Sequence, residues 1–293
     1  MPSLMESESV HAKIAAHSLL KLVSRTAEIL NVRAMLVGGA VRDLFLGHDT
    51  FDIDILVEYE FAKLALSLQK ELSSELVMHP AFGTAVLTIP YVGHIDIATA
   101  RTETYARAGS LPKVVFSSIQ NDLFRRDFSI NAMAAPLTGS GEIIDPFDGL
   151  RDLSKGILRV LHPRSFQDDP TRIFRLARFA SRGLTPENET VALACRDAQN
   201  VRLISIERVR EELIAILDEK QPSIAISLLA SWGIWNEVLA DIPLPDGAML
   251  DSASSVASRL ALLVSPCGQS AKAILTRLKL SRALKREVLT ILS

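Results

Sequence analysis

Two aspartates, Asp52 and Asp54, stand two residues apart in the stretch FDIDILV. Polar and apolar residues alternate there, which predicts a strand that carries both carboxylates on one face. Adjacent carboxylates repel each other unless a cation neutralises them, and Mg²⁺ prefers such oxygen ligands together with water and phosphate. Asp96, in HIDIATA, lies on a second predicted strand. If the two strands are neighbours, Asp96 completes a carboxylate site for two-metal phosphoryl transfer.

A glycine turn precedes the acid pair. Gly38 and Gly39 end a short apolar strand, and Arg42 lies in the first turn of the helix predicted to follow. Glycines let backbone amides approach a ligand closely, and a helix start directs N–H groups at an anion. A DxD pair alone is more often a solvated strand edge, but the glycine turn favours a nucleoside triphosphate site. No Walker sequence GxxxxGK[ST] is present.

A second group of charged residues lies in LFRRDFSINAMA. Arg125, Arg126 and Asp127 are adjacent, and Asn131 follows Asp127 by four residues, which predicts one shared helical face. Arginine suits bidentate contacts with phosphate, and a carboxylate can accept a hydrogen bond from a ribose hydroxyl. The alternative is an ordinary Arg–Asp surface pair at a helix start.

A third group lies in FQDDPTRIFRLARFASR. Pro170 suits the first turn of a helix with Asp168 or Asp169 near its N-cap. Arg172 shares a helix face with Asp169 at i, i+3 or with Asp168 at i, i+4, and such an Asp–Arg pair could accept from an exocyclic amine and donate to the adjacent ring nitrogen. Cytosine and adenine present that order of groups, whereas uracil and guanine present the reverse. The alternative is a pair of capping acids beside a solvated basic stripe, whose members are Arg172, Arg175 and Arg178.

The elements around these groups change in character along the chain. Before about residue 135, strand patterns such as AMLVGG, FDIDILV, TAVLTIP and HIDIATA alternate with helical ones over residues 9–30, AVRDLFLG and FAKLALSLQKEL. After about residue 166, helical patterns dominate. We therefore predict an α+β fold, with a small mixed sheet first and an all-helical region after it. Trp232 and Trp235, in an apolar helical segment, are predicted to be core residues.

Composition narrows the class of protein. The chain has 293 residues, 48% of them hydrophobic, and a formal net charge of −2. It is therefore not a polycation, and binding of nucleic acid needs a local basic face. Two isolated cysteines form no disulfide framework and suit a reducing compartment. We expect a cytoplasmic protein without signal peptide or membrane span. The sequence carries no indication of oligomeric state.

Together, GGAVRDLFLG…DIDI, RRDFSINAMA and DDPTR resemble the motifs of the class II (bacterial and eukaryotic type) tRNA nucleotidyltransferase and poly(A) polymerase family. The likeness is strong over residues 34–182 and general beyond them. It implies a polymerase-beta-like nucleotidyltransferase head, followed by a helical neck, body and tail. We expect a catalytic head at 1–138, a base-recognition neck at 139–200 and a tRNA-binding body and tail at 201–293.

The resemblance also implies residue roles. Asp52 and Asp54 hold Mg²⁺, with Asp96 as the further catalytic carboxylate that the strand pattern suggests. Asp168 stands where the family has glutamate, and its shorter arm supports Arg172 less firmly. The nucleotide-binding residues expected on these grounds are Gly38, Gly39, Arg42, Arg126, Asp127, Asn131, Asp169, Arg172, Arg175 and Arg178.

The implied activity is template-independent addition of C and/or A, from CTP and ATP, to the tRNA 3′ end. The link TYARAGSLPKVVFSSIQNDLF is short and apolar, and the C-terminal part is short for the family, so we lean toward CC addition, with full CCA or A-only addition close behind. Nine basic residues of the helical region are candidates to contact the tRNA backbone: Arg202, Arg208, Arg210, Lys272, Arg277, Lys279, Arg282, Lys285 and Arg286.

Three alternatives stay open. A poly(A) polymerase is less favoured, because those enzymes usually carry a basic C-terminal extension. A small-molecule nucleotidyltransferase shares the glycine turn and acid pair but does not need the RRD and DDPTR blocks. A non-enzymatic RNA-binding module does not need Asp52 and Asp54.

Overall fold

A computed structural model of the chain describes residues 7–48, 52–110, 112–139 and 141–293, apart from the side chains of residues 7–9 and 52. Contacts divide the chain into two compact units. Unit 1 comprises Met1–Thr104 and Pro112–Leu161, and unit 2 comprises Tyr105–Leu111 and His162–Ser293. The division into head, neck and body at residues 138 and 200 stays a prediction.

Unit 1 contains the small mixed sheet that the sequence predicted. The strands of unit 1 are β1 (Ala34–Val37), β2 (Asp52–Val57), β3 (Glu75–His79), β4 (Thr84–Ile89), β5 (Gly93–Thr99), β6 (Arg101–Thr104), β7 (Lys113–Phe116), β8 (Ala134–Pro136) and β9 (Ile157–Leu158). The sheet has the strand order β3-β4-β5-β2-β1-β8, in which β2 and β5 run parallel and the other neighbours antiparallel. Strands β6 and β7 form a separate antiparallel pair.

The helices of unit 1 are α1 (Ser7–Ala16), α2 (Ser18–Ile29), α3 (Gly39–Phe45), α4 (Phe61–Leu72), α5 (Ile119–Leu123) and α6 (Gly149–Lys155). The single helix predicted over residues 9–30 is wrong, because the structure has two helices there. His17 separates them: its backbone is extended, and its imidazole accepts a hydrogen bond from the Leu20 N–H at 3.4 Å. A side-chain acceptor at this position caps the second helix and ends the first.

Unit 2 is helical, as predicted. Its helices are α7 (Ser165–Asp168), α8 (Thr171–Ser181), α9 (Asn188–Arg196), α10 (Ile206–Leu217), α11 (Pro222–Ser231), α12 (Ile234–Val238), α13 (Gly247–Ser252), α14 (Val256–Val264), α15 (Ala271–Arg277) and α16 (Arg282–Leu292), with one short strand, β10 (Thr185–Pro186). Trp232 and Trp235 are buried, and the Trp235 indole donates to the Ile242 carbonyl at 2.8 Å, which confirms them as core residues. Among the described residues, no helix has the length and apolar character needed to span a bilayer.

Strand β2 is anchored in the core by its apolar residues. Ile53 and Ile55 are each 1% exposed and lie on the face opposite Asp54. Leu56 shares the face of Asp54 and packs in an apolar cluster with Met35 and Ala134, among others. Burial of these side chains fixes the register of β2, because a slip of one residue would reverse its faces. The carboxylates therefore stay on one defined face.

The segment after Arg126 is not the helix that the i, i+4 spacing suggested. The Asp127 carboxylate accepts a hydrogen bond from the Phe128 N–H at 2.8 Å, and Phe128 is extended (φ −130°, ψ 153°). Ser129–Asn131 then forms a 3₁₀ turn. A carboxylate that satisfies the next backbone N–H competes with helix formation. Asp127 and Asn131 are neighbours all the same, because the Asn131 amide donates to Asp127 Oδ1 at 3.0 Å.

Helix α6 packs against the 3₁₀ turn Ser129–Asn131. A Cβ on Gly149 would lie 2.2 Å from the Ser129 carbonyl oxygen, so the two backbones are in direct contact. The buried Ser129 hydroxyl donates to Asp152 Oδ2 at 2.6 Å, and Arg159 Nε donates to the same oxygen at 3.0 Å. The turn that carries Asn131 is therefore fixed by packing as well as by hydrogen bonds.

Replacing Gly149 with alanine should destabilise unit 1, because the new methyl group overlaps the Ser129 backbone. Overpacking of this kind costs ~1–3 kcal/mol, which corresponds to a fall of roughly 5 °C in the unfolding midpoint. Differential scanning calorimetry measures the shift. The matched control is Gly141→Ala, where the nearest atom, Pro136 Cγ, would be in ordinary contact at 3.4 Å. Equal midpoints for the two variants would contradict the packing argument.

Candidate active site

The sheet brings acidic residues of two strands to one level. Strands β2 and β5 pair in parallel with Asp54 opposite Asp96 and Asp52 opposite His94. Partners in a parallel ladder point to the same face, so Asp54 and Asp96 are neighbours there. The Asp96 side chain is 42% exposed, and its Oδ2 lies 3.8 Å from His94 Nε2. The side chain of Asp52 lies outside the described residues, so its position among the three carboxylates stays a prediction.

Gly38 lies where a guanidinium group and a carboxylate converge. Its backbone has φ +69° and ψ −135°, and a Cβ there would be 2.7 Å from Arg126 Nη1 and 3.7 Å from Asp54 Oδ2. Any side chain would therefore collide with Arg126. Burial lowers the pKa of the Arg126 guanidinium, whereas the Asp122 and Asp54 carboxylates act in the opposite direction. The Arg126 guanidinium group and the Asp54 carboxylate are thus both close to Gly38, which has no side chain to separate them.

Arg42 belongs to a second chain of contacts beside the glycine turn. Its Nη1 donates to Asn131 Oδ1 at 2.8 Å, and Nε donates to Asp43 at 2.9 Å. Asn131 donates in turn to Asp127. Gly39 lies against Arg42, since a Cβ there would be 3.4 Å from Nη2. Helix α3 is seven residues long, so positive charge near the turn comes mainly from the guanidinium groups.

Within the described ranges, no group of three or more His, Cys, Asp or Glu side chains is arranged as a metal site. The Asp52 carboxylate is not among the described side chains. Unit 1 therefore assembles these predicted residues around the turn and the carboxylate face: Gly38, Gly39, Arg42, Asp54, Asp96, Arg126, Asp127 and Asn131.

In unit 2, the proposed base-reading pair lies at the junction of α7 and α8. Asp169 Oδ1 accepts hydrogen bonds from the Thr171 N–H at 3.1 Å, the Thr171 hydroxyl at 2.7 Å and Arg208 Nη2 at 2.7 Å. Arg172 is 5% exposed, and its Nη1 donates to Ser165 Oγ at 2.7 Å. The alternative of a solvated basic stripe is therefore wrong for Arg172. Both members of the pair are held by side chains of the protein.

Asp168 has basic neighbours at ion-pair distance. Its Oδ2 lies 3.9 Å from His162 Nε2, and its Oδ1 lies 3.8 Å from Arg164 Nη2. Burial, and then the charge of Arg172, lower the pKa of His162, while Asp168 acts to raise it. His162 is therefore influenced by two residues of the DDPTR motif, the acid Asp168 and the cation Arg172.

Arg175 and Arg178 share an aromatic neighbour. Their guanidinium carbons lie 5.7 Å and 5.8 Å from the centre of the Phe179 ring, and that of Arg182 lies at 5.5 Å. Burial, and then Arg175, lower the pKa of Arg178, and its Nε is buried without a hydrogen-bond partner in the described structure. The two arginines are partly buried cations whose roles toward a nucleotide stay predictions.

Sequence reasoning missed the contacts that three residues make with predicted site residues. Arg208 was a candidate tRNA contact, but it donates to Asp169, 39 residues away. Its place among the acids of ISIERVREEL resembles a solvated face, so the spacing gave no indication of this contact. His162 and Asp122 each lie just outside a motif; Asp122 is buried, and His162 is close to Asp168, neither of which a local pattern reveals.

Comparisons with known proteins identify the family to which the chain is similar. A family model described as "Poly A polymerase head domain" matches residues 34–159, and another, "Probable RNA and SrmB- binding site of polymerase A", matches residues 183–244. The A-adding tRNA nucleotidyltransferase of Halalkalibacterium halodurans is 37% identical over 75% of this chain and 53% of its own length. The CC-adding tRNA nucleotidyltransferase of Deinococcus radiodurans is 38% identical over 71% and 56%. The chain thus spans about half the length of these curated relatives.

Solved structures show the same relationship over nearly the whole chain. The apo form II of a CCA-adding enzyme has a TM-score of 0.80 and 31% sequence identity, covering 99% of this chain and 74% of that one. The matched fold, the matched domains and the arrangement of the motif residues lead to one assignment: the chain belongs to the tRNA nucleotidyltransferase and poly(A) polymerase family.

Proposed function

We propose that this protein is a template-independent nucleotidyltransferase that adds C and/or A from CTP and ATP to the tRNA 3′ end. The observation that carries the proposal is the convergence of Arg126 and Asp54 at Gly38. This arrangement suits a polyphosphate beside a carboxylate-held cation. The names of the relatives, which span A-adding, CC-adding and CCA-adding enzymes, support the choice of tRNA as acceptor.

The residues present fit a hard divalent cation. The family generally uses a divalent metal, and the donors on the carboxylate face, Asp54 and Asp96 with Asp52 on the same strand, are all carboxylate oxygens. Oxygen donors of this kind suit Mg²⁺ better than a softer metal. When bound, Mg²⁺ supplies charge neutralisation at the phosphates and lowers the pKa of the attacking hydroxyl.

The reaction joins the tRNA 3′-oxygen to the α-phosphorus of the nucleotide. The bond from that phosphorus to the bridging oxygen breaks, pyrophosphate leaves, and the hydroxyl proton passes to solvent. Arg126 and Arg42 hold the phosphates by charge-assisted hydrogen bonds. Asp127 and Asn131 are proposed to meet the ribose, and both are already fixed by their mutual hydrogen bond. Much of the catalysis is therefore positioning of the reactants.

Base choice is proposed to lie with Asp169 and Arg172 of unit 2. A carboxylate and a guanidinium group match the amine and ring nitrogen of cytosine or adenine and mismatch uracil and guanine. The contacts to Thr171, Arg208 and Ser165 limit the rotation of both side chains. Limiting rotation before binding strengthens discrimination, because a wrong base leaves polar groups unpaired.

The number of nucleotides added stays a prediction, and we favour CC addition on the short, apolar link after β6. A small-molecule nucleotidyltransferase and a poly(A) polymerase are the alternatives within the same chemistry. We also infer a cytoplasmic location, because both cysteines are free thiols, which suits a reducing compartment.

Incubation with labelled CTP, ATP or both distinguishes these activities, with tRNA transcripts that end before CCA or after CC. Label from CTP alone indicates CC addition, whereas label from both nucleotides on the shorter transcript indicates full CCA addition. Label from ATP restricted to the CC-ended transcript indicates A addition. Absence of incorporation in every reaction would contradict the proposed function.

Asp54→Asn should reduce kcat by a factor on the order of 10²–10³, because it removes charge from the face that holds the cation. Rapid-quench assays with saturating tRNA measure the change. The matched control is Glu60→Gln, an exposed acid of the same unit that pairs with Lys63. It should stay within about twofold, since exposed pairs contribute little. An Asp54→Asn enzyme as active as this control would contradict the assignment.

Arg208→Ala should weaken base selection, because Asp169 loses one of its three hydrogen-bond donors, the only charged one among them. We expect the ratio of kcat/KM for the correct nucleotide to that for UTP to fall about tenfold. Arg208→Lys should retain part of the ratio. The control is Arg202→Ala, whose guanidinium pairs with Glu237 of the same unit. An unchanged ratio in Arg208→Ala would remove this residue from the selection mechanism.

The salt dependence of tRNA binding tests which basic residues of unit 2 contact the tRNA backbone. Most of the nine basic candidates, such as Arg277 with Asp241, have protein partners. Arg282 and Arg286 are exposed and form no ion pair within the described residues. Replacing both by alanine should reduce the slope of log K against log[salt] by about 1.5–2, whereas Arg277→Ala should change it by less than about 0.5. Equal slopes for both variants would place the phosphate contacts elsewhere.

A further inference from the structure

Asp122 is a carboxylate with no solvent exposure in unit 1, and no motif accounts for it. It lies in α5, four residues before Arg126. Its Oδ1 accepts hydrogen bonds from the Arg101 backbone N–H at 3.1 Å and from Arg125 Nε at 2.8 Å, and its Oδ2 accepts one from Arg126 Nη2 at 3.3 Å. A buried carboxylate is costly unless it is paired in this way. One acid therefore connects the β6 backbone to two adjacent arginines.

The two oxygens have separate tasks. Oδ1 fixes Asp122 to the backbone and to Arg125, whereas Oδ2 is directed at Arg126. The other end of the Arg126 guanidinium, Nη1, lies over Gly38 and reaches the Asn131 carbonyl at 3.5 Å. Because a guanidinium group is planar, fixing Nη2 on one side also fixes the direction of Nη1.

Arg126 presents its other terminal guanidinium nitrogen, Nη1, to the candidate phosphate site. Its Nε is buried and makes no hydrogen bond in the described part of the chain, and Nη1 faces the glycine turn. An arginine held in its binding geometry loses little side-chain entropy when a ligand arrives. A flexible arginine at the same place must be ordered by the ligand itself.

We propose that Asp122 is a positioning residue, which orients Arg126 across Gly38 to bind the polyphosphate of the incoming nucleotide. This inference rests on the phosphate site of the proposed function. Asp122 touches no substrate and acts through Arg126 alone. A purely structural role would instead change stability without changing how Arg126 contributes to binding.

Glu103 offers a matched control in the same cluster. It is also largely buried, and its Oε1 accepts hydrogen bonds from Arg101 Nε at 3.0 Å and from Arg125 Nη1 at 3.3 Å. Glu103→Gln therefore disturbs the cluster on the side of Arg125. If general disturbance of the cluster mattered, Glu103→Gln and Asp122→Asn would have the same effect on phosphate binding.

The test is a double-mutant cycle with inorganic tripolyphosphate as the probe, measured by calorimetry in the presence of Mg²⁺. Asp122→Asn should weaken tripolyphosphate binding about tenfold, as expected for a misdirected charge-assisted contact. In an Arg126→Ala background, the same substitution should change binding by less than about twofold. Glu103→Gln should also stay within about twofold of the unmodified protein.

Equal losses from Asp122→Asn in the two backgrounds, or no loss in either, would overturn the proposal. So would failure of the unmodified protein to bind tripolyphosphate. If Asp122→Asn does not fold, Asp122→Glu takes its place: it keeps the charge on a longer arm. That variant should lose about threefold, and only while Arg126 is present.

Incorporation assays separate this inference from the proposed function. In the active protein, Asp122→Asn should raise KM for CTP or ATP about tenfold, with kcat and KM for tRNA within about threefold. A structural defect would instead lower the active fraction, and hence kcat, at unchanged KM. A protein that adds no nucleotide to tRNA yet shows the expected binding cycle would refute the proposed function and support the role of Asp122.

Discussion

The candidate site of unit 1 depends on the absence of a side chain at Gly38. Its backbone conformation, φ +69° with ψ −135°, requires glycine, and a Cβ there would lie 2.7 Å from Arg126 Nη1 and displace the guanidinium group. If the backbone were displaced to admit a methyl group, the contact of Arg126 with the turn and the nearness of Asp54 would be lost together. Gly38 therefore allows strand β2, the glycine turn and the Arg126 guanidinium group to lie close together.

Buried polar contacts keep that arrangement in place. The Asn131 side chain accepts a hydrogen bond from Arg42 and donates one to Asp127. The Asp152 carboxylate accepts hydrogen bonds from the Ser129 hydroxyl and from Arg159. Each of these groups would be costly to bury alone. Because they satisfy one another, unit 1 can hold several charges close together on a small sheet. The chemistry of the site and the packing of the turn are consequences of the same hydrogen bonds.

Much of this could be predicted from the sequence, and the parts that could not share a cause. The alternation of polar and apolar residues in FDIDILV predicted the strand and the opposite faces of Asp54 and Ile53, and the glycine pair predicted the turn. Local spacing failed at His17 and after Asp127, where a side chain accepts a backbone N–H and ends the helical conformation. Contacts between distant segments, such as Arg208 with Asp169, have no local pattern and appear only once the helices pack.

The shared oxygen of Asp169 has a consequence for how such proteins diverge. Thr171 and Arg208 both donate to Oδ1, so helix α10 contributes one of the contacts that orient a residue proposed to read the base. If Asp169 and Arg172 read the base as proposed, substitutions in α10 are expected to change nucleotide preference while both residues are retained. The DDPTR motif would then be an incomplete guide to the nucleotide that is accepted.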